Sequence, residues 1–118
     1  PEKLIRKKVM SIVTDSTPVE APKDPTNSTI LQLYRLFASP EQIASMEDAL
    51  RAGGTGYGEF KKQLFEAIWN TFAPMRARRA ELEADPDYLE EVLQAGALRA
   101  TEVAKKTLEK VRTAVGLA

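Results

Sequence analysis

Residues 58–75 read GEFKKQLFEAIWNTFAPM, and this stretch decides the fold class. Phe60, Leu64, Ile68, Phe72 and Met75 follow one another at steps of four and three, with Trp69 beside them. That period puts them on one face of an α-helix and does not fit the alternation of a half-buried strand. Pro74 deletes a backbone donor and crowds the carbonyl four residues earlier, so a kink is expected there.

Just upstream lies the glycine-dense run Gly53-Gly54-Thr55-Gly56-Tyr57-Gly58. Bare backbone amides can cradle phosphates. The spacing Gly54-x-Gly56-x-Gly58 is neither a dinucleotide fingerprint nor a Walker loop, however, and no strand pattern precedes it. A helix C-cap joined to a tight turn accounts for the run. The helix that ends there opens at Ser39-Pro40-Glu41-Gln42, where serine caps, proline takes the first helical position and glutamine returns the capping bond. Ile43, Met46 and Leu50 are its apolar positions. Before it, Asn27 is the expected N-cap of a helix through Ala38, with Ile30, Leu31, Leu33, Tyr34 and Phe37 as its apolar face. Asn27-Ser28-Thr29 also matches a glycosylation sequon, but a helix cap is the simpler account.

At the start of the chain Ile5, Val9, Ile12 and Val13 recur at helical spacing, which predicts a helix over 2–13 with Pro1 suited to its first turn. From Thr14 to Thr26 the polar run broken by Pro18, Pro22 and Pro25 is a loop, long for a compact domain. Downstream, Asp85-Pro86 opens a further helix by cap and first-position proline, and Gly96 is expected to divide it from the last one. Ala100, Ala104, Leu108, Val111 and Val115 form a stripe on that last helix. The expectation is an all-α bundle of five to six helices without a sheet, one domain over 1–118. Ile5, Val9, Leu33, Phe37, Phe60, Leu64, Ile68, Leu108 and Val111 should be largely buried.

Composition narrows the chemistry. The 118 residues are 43% hydrophobic and 29% charged, an ordinary globular balance. Lysine plus arginine is 17 and aspartate plus glutamate is 17, so the net charge is zero and a DNA-coating protein is excluded. Cysteine and histidine are both 0, which removes thiol nucleophiles, zinc fingers and histidine-dependent triads. No apolar run approaches the roughly 20 residues of a membrane helix, and no signal-peptide pattern opens the chain. Its start at Pro1, directly into a helical pattern, reads as a piece of something longer.

Three charged groupings bear on function. The carboxylates Glu81, Glu83, Asp85, Asp87, Glu90 and Glu91 surround a helix start, where the macrodipole favours them. Arg76, Arg78 and Arg79 complement the end of their own helix and the acids that follow. Residues 40–52 and 58–73 make a poor helix-turn-helix, because the turn is glycine-rich and too long. The third grouping is the most suggestive: Lys3, Arg6, Lys7 and Lys8 on the first helix run into Thr14-Asp15-Ser16. Basic side chains hold a phosphate backbone, while a polar loop reads exposed base edges. An aspartate carboxylate accepts from the exocyclic amine of cytosine. It also closes turns by bonding a backbone amide two residues on.

The segment Pro1-Glu2-x-x-Ile5-Arg6-Lys7-Lys8-Val9-Met10-x-x-x-Thr14-Asp15-Ser16 resembles the one that follows the KMSKS loop in bacterial tryptophanyl-tRNA synthetases. The likeness continues through Asn27-Ser28-Thr29-Ile30-Leu31, Gly56-Tyr57-Gly58-Glu59-Phe60-Lys61, Pro74-Met75-x-x-Arg78 and Leu93-x-x-Gly96-Ala97-x-x-Ala100 to Val115-Gly116-Leu117. Essentially the whole chain is covered, in order.

The resemblance implies the helical, anticodon-binding part of a class I aminoacyl-tRNA synthetase, a cytoplasmic and homodimeric ligase that uses ATP with Mg to join tryptophan to tRNA(Trp). Neither KMSKS nor a HIGH-like motif is present. The catalytic nucleotide-binding domain is thus absent, no catalytic, cofactor-binding or metal residue is assigned, and the chain alone is expected to be inactive. By the same resemblance Thr14, Asp15 and Ser16 would contact the anticodon, which is CCA by the genetic code, and Lys7 and Lys8 would hold tRNA phosphates. Neither DNA nor a membrane is an expected partner. The competing expectation is a non-catalytic helical domain that docks another protein.

Overall fold

Side-chain caps written into the sequence set where three of the helices begin. A computed structural model describes residues 2–117, so Pro1, read above as a first-turn residue, lies outside the described residues. The chain is all-α: α1 (Glu2–Met10), α2 (Thr29–Tyr34), α3 (Pro40–Ala52), α4 (Tyr57–Thr71), α5 (Ala73–Ala84) and α6 (Pro86–Ala114), with no strand among the described residues. It divides into two compact units, one up to Pro74 and one from Met75.

In the first unit α4 is the central element, packed against α1 and α2, while α2 also packs on α3. Phe60, Leu64 and Phe65 of α4 meet Val9, Ile30, Leu31, Tyr34, Met46 and Leu50 in one buried cluster. Ile5, Leu33, Phe37 and Ile68, also expected inside, are partly buried against it. The Ser39 Oγ accepts from the Gln42 amide and Gln42 Oε1 accepts from the Ser39 amide, completing the capping box. Gly53 and Gly54 end α3 at φ of 72° and 78°, a left-handed backbone that glycine adopts without strain.

Four boundaries differ from expectation. The first helix stops at Met10 rather than Val13, because the Ser11 hydroxyl turns back onto the Lys8 carbonyl and Lys61 Nζ takes the Met10 carbonyl. The cap of α2 is Ser28, whose Oγ accepts from the Leu31 amide, while Asn27 instead donates to Asp24 Oδ2. This second helix, expected through Ala38, ends at Tyr34, because the chain beyond it tightens into turns in which the Leu36 and Phe37 amides donate to the Leu33 and Tyr34 carbonyls three residues back. Pro74 does not kink a continuous helix. The chain leaves helical geometry at Phe72 and restarts, so proline falls in the first turn of α5, where its missing N–H was unpaired anyway.

The second unit holds most of α5 and all of α6. The Asp85 carboxylate accepts from the Tyr88 amide, and Pro86 opens the helix as expected. Gly96 does not divide it: α6 runs unbroken for 29 residues. A single glycine costs a helix only about 1 kcal/mol, too little to interrupt one this long. Leu108 and Val111, expected in the core, are 46% and 51% exposed. Their periodicity is real, but no residue of α5 or α6 is buried, so the stripe has no cover within the described residues. No described helix is long and apolar enough to cross a membrane.

Candidate functional site

The long proline-rich loop is tied to the end of α3 by its own backbone. The Lys23 amide donates to the Leu50 carbonyl at 2.7 Å, and the Gly54 amide donates to the Val19 carbonyl at 2.8 Å. Gly53 is required by this approach as well as by its φ, since a Cβ there would stand 2.5 Å from the Glu20 carbonyl oxygen. Inside the loop, Lys23 is only 4% exposed. Its ammonium donates to the carbonyls of Pro18, Val19 and Ala21 at 3.1–3.2 Å and lies 5.4 Å from the centroid of the Tyr57 ring. A buried ammonium has three donors to satisfy, and wrapping the loop around it satisfies them.

Asp15 sits at the other end of this assembly. Its Oδ1 accepts from the Thr17 amide at 2.9 Å, which is the turn-closing bond expected of a loop aspartate. The same oxygen accepts from the Tyr57 hydroxyl at 2.7 Å, a bond between residues far apart in sequence. The Thr17 hydroxyl, the Thr17 amide and the Tyr57 hydroxyl hold the Asp15 carboxyl below the usual aspartate range, with a smaller contribution from the Lys23 charge. Tyr57 is shifted the opposite way, upward, first by burial and then by donating to an anion. At neutral pH the pair is therefore a carboxylate and an intact phenol, and the acceptor is fixed in direction.

Around this carboxylate lies an open pocket of about 440 Å³, lined by Val13, Thr14, Asp15, Asn27, Ser28, Thr29 and Tyr57. The volume is in the range that takes a small ligand. Thr14 and Asp15 thus stand together on one concave surface, whereas Ser16 is exposed and outside the lining. Lys7 and Lys8 are exposed on the last turn of α1, and neither side chain has an ion pair among the described residues. Arg6 of the same helix is used differently, 5.6 Å from the Phe65 ring centroid. The hollows along α6 are each lined by residues of that one helix, so no second element converges on them.

Sequence reasoning missed Lys23 and Tyr57 and took Asn27-Ser28-Thr29 only as a cap. The available signal was local: a tyrosine at the first turn of α4, inside a glycine run that lets a loop approach. Nothing local announced its bond to Asp15.

No protein-family model matches the chain. By sequence it is 50% identical over 98% of its length to the tryptophan–tRNA ligase of Rhodopirellula baltica, and 40% identical over 98% to that of Fusobacterium nucleatum. It spans about a third of these relatives, 36% and 35% of their lengths. Its fold is similar to a tryptophanyl-tRNA synthetase structure from Campylobacter jejuni complexed with ADP and tryptophan, with a TM-score of 0.92 at 36% identity. That match covers 99% of this chain and 37% of the other.

Proposed function

We propose that this chain, a relative of the C-terminal part of tryptophan–tRNA ligases, is the anticodon-recognising portion of such an enzyme. The observation that carries this reading is the end-to-end match, at 50% identity, to only about a third of a ligase of that name. In this reading residues 1–118 act as one recognition domain, although they form two compact units. The whole ligase activates tryptophan with ATP and joins it to tRNA(Trp) in the cytoplasm, as a homodimer. ATP and its Mg act on the part of the ligase outside this chain. No group of three or more His, Cys, Asp or Glu among the described residues is placed to hold a metal, so no step is assigned to one here.

The division of labour follows from the chemistry of the surface. Two of the three bases of CCA are cytosines, whose exocyclic amines need acceptors. The Asp15 carboxylate is an anionic acceptor held by the Tyr57 hydroxyl on a pocket wall, and Thr14 lines the same pocket, where its hydroxyl would add a contact. Ser16 would add a hydroxyl at the rim. Lys7 and Lys8, exposed on the preceding helix, would hold phosphates, which position the strand without reading it. Single-stranded loops are where sequence-specific RNA recognition occurs, because their bases can be splayed into such pockets.

The apolar stripe of α6 favours a docking surface as well. Leu108, Val111 and Val115 are 46%, 51% and 62% exposed. In a ligase about three times this length, the catalytic domain is the partner that covers them. The competing reading, a domain that only docks another protein, is separated by salt. Affinity of the intact ligase for tRNA(Trp) should fall steeply as salt rises, through counterion release, and Lys8→Ala should lower the log–log slope by about one. A flat salt dependence supports protein docking instead.

A further inference from the structure

We infer that Tyr57 is a positioning residue for base recognition: its hydroxyl sets the direction of the Asp15 carboxylate on the wall of the pocket. The inference rests on the reading of Asp15 as a cytosine acceptor and extends it to a residue that stands within the glycine run, on a different element. Asp15 lies in a loop, and its bond to the Thr17 amide ties it only to that loop. The Tyr57 bond ties it to something rigid. Tyr57 is the first residue of α4, whose Phe60 and Leu64 are 1% and 0% exposed in the core. The 2.7 Å bond from phenol to carboxylate therefore carries the position of the core helix to the acceptor.

The second support is what holds Tyr57 itself. The Lys23 ammonium sits 5.4 Å from the ring centroid and is anchored by three carbonyls of the same loop. Ring, ammonium and carboxylate thus form one connected unit, with the phenol donating at one end and its π-face toward a cation. Such contacts leave the ring little freedom to turn away. Tyr57 also lines the pocket, so a base entering it meets an acceptor whose orientation is already fixed. A carboxylate free to rotate can turn away from a uracil carbonyl, whereas one held in place keeps that repulsion as well as its bond to the cytosine amine, and the difference between the two is the discrimination.

The test uses the intact ligase that contains this region, with transcripts of tRNA(Trp) and of variants in which either anticodon cytosine is replaced by uridine. Uracil offers a carbonyl where cytosine offers an amine. Tyr57→Phe keeps the ring and its face for Lys23 but removes the donor. The ratio of kcat/KM for cytosine over uridine should fall several-fold at one anticodon position, while tryptophan-dependent ATP–pyrophosphate exchange stays as in the parent. Combined with Asp15→Ala, the change should be far from additive, because both act through one carboxylate. If Asp15→Ala relaxes the ratio and Tyr57→Phe does not, the positioning role is overturned while the reader role stands. A lowered melting temperature with the ratio intact also overturns it. If Asp15→Ala itself leaves the ratio unchanged, the reading of Asp15 fails and this inference fails with it.

Discussion

Lys23 Nζ lies 5.4 Å from the centroid of the Tyr57 ring, joining the proline-rich loop to the first turn of the central helix. The lysine is 4% exposed, and its charge is compensated by the carbonyls of Pro18, Val19 and Ala21 and by that ring. The loop owes its shape to this buried cation. Lys23→Met keeps the aliphatic stem but strips three carbonyls of their donor, so the first unit should lose about 1–3 kcal/mol of stability. Chemical denaturation measures this. A variant as stable as the parent would mean that water replaces the ammonium without loss.

Gly53 and Gly54 offer a paired test of how closely that loop approaches. Both have positive φ, 72° and 78°, so alanine is strained at either. Only Gly53 also faces backbone, with a Cβ falling 2.5 Å from the Glu20 carbonyl oxygen, whereas nothing lies within 4 Å of one on Gly54. Gly53→Ala should cost clearly more than about 1 kcal/mol and more than Gly54→Ala. Equal melting temperatures for the two variants would contradict the close approach.

Leu64 and Leu108 separate the covered face from the uncovered one. Leu64 is 0% exposed and Leu108 is 46% exposed. Truncating the first to alanine should cost about 2–5 kcal/mol. Truncating the second should change the stability of the 118-residue chain by no more than about 0.5 kcal/mol. Thermal melts of the two variants give the comparison directly, and a large loss from Leu108→Ala would show that the α6 stripe is covered after all.

What the sequence could and could not disclose follows from the range of the interactions. Ser39 with Gln42, and Asp85 with Pro86, are bonded or adjacent within one turn, so their caps were legible from spacing alone. Phe60 and Leu64 were legible because a 3.6-residue period marks a face that must be buried. The same period misled at Leu108 and Val111, since it says that a face is built for cover and not what covers it. Gly96 misled in the other direction, because a weak local penalty was set against a long helix. Asp15 was legible as a chemical type, and its turn bond to Thr17 is local. Its bond to Tyr57 joins residues that only the fold brings together, and Lys23 carries no sequence signal because its carbonyl partners are backbone.

The central claim is that Asp15 reads a cytosine of the anticodon, and it is tested most directly by Asp15→Ala in the intact ligase. The measurement is kcat/KM for tRNA(Trp) against transcripts with uridine at either anticodon cytosine. Loss of the acceptor should cost about 1–3 kcal/mol for the cognate tRNA and relax discrimination at one of the two positions, with ATP–pyrophosphate exchange unchanged. A variant with a lower melting temperature but full discrimination at both cytosines would contradict the account and leave Asp15 as the residue that closes a turn with Thr17.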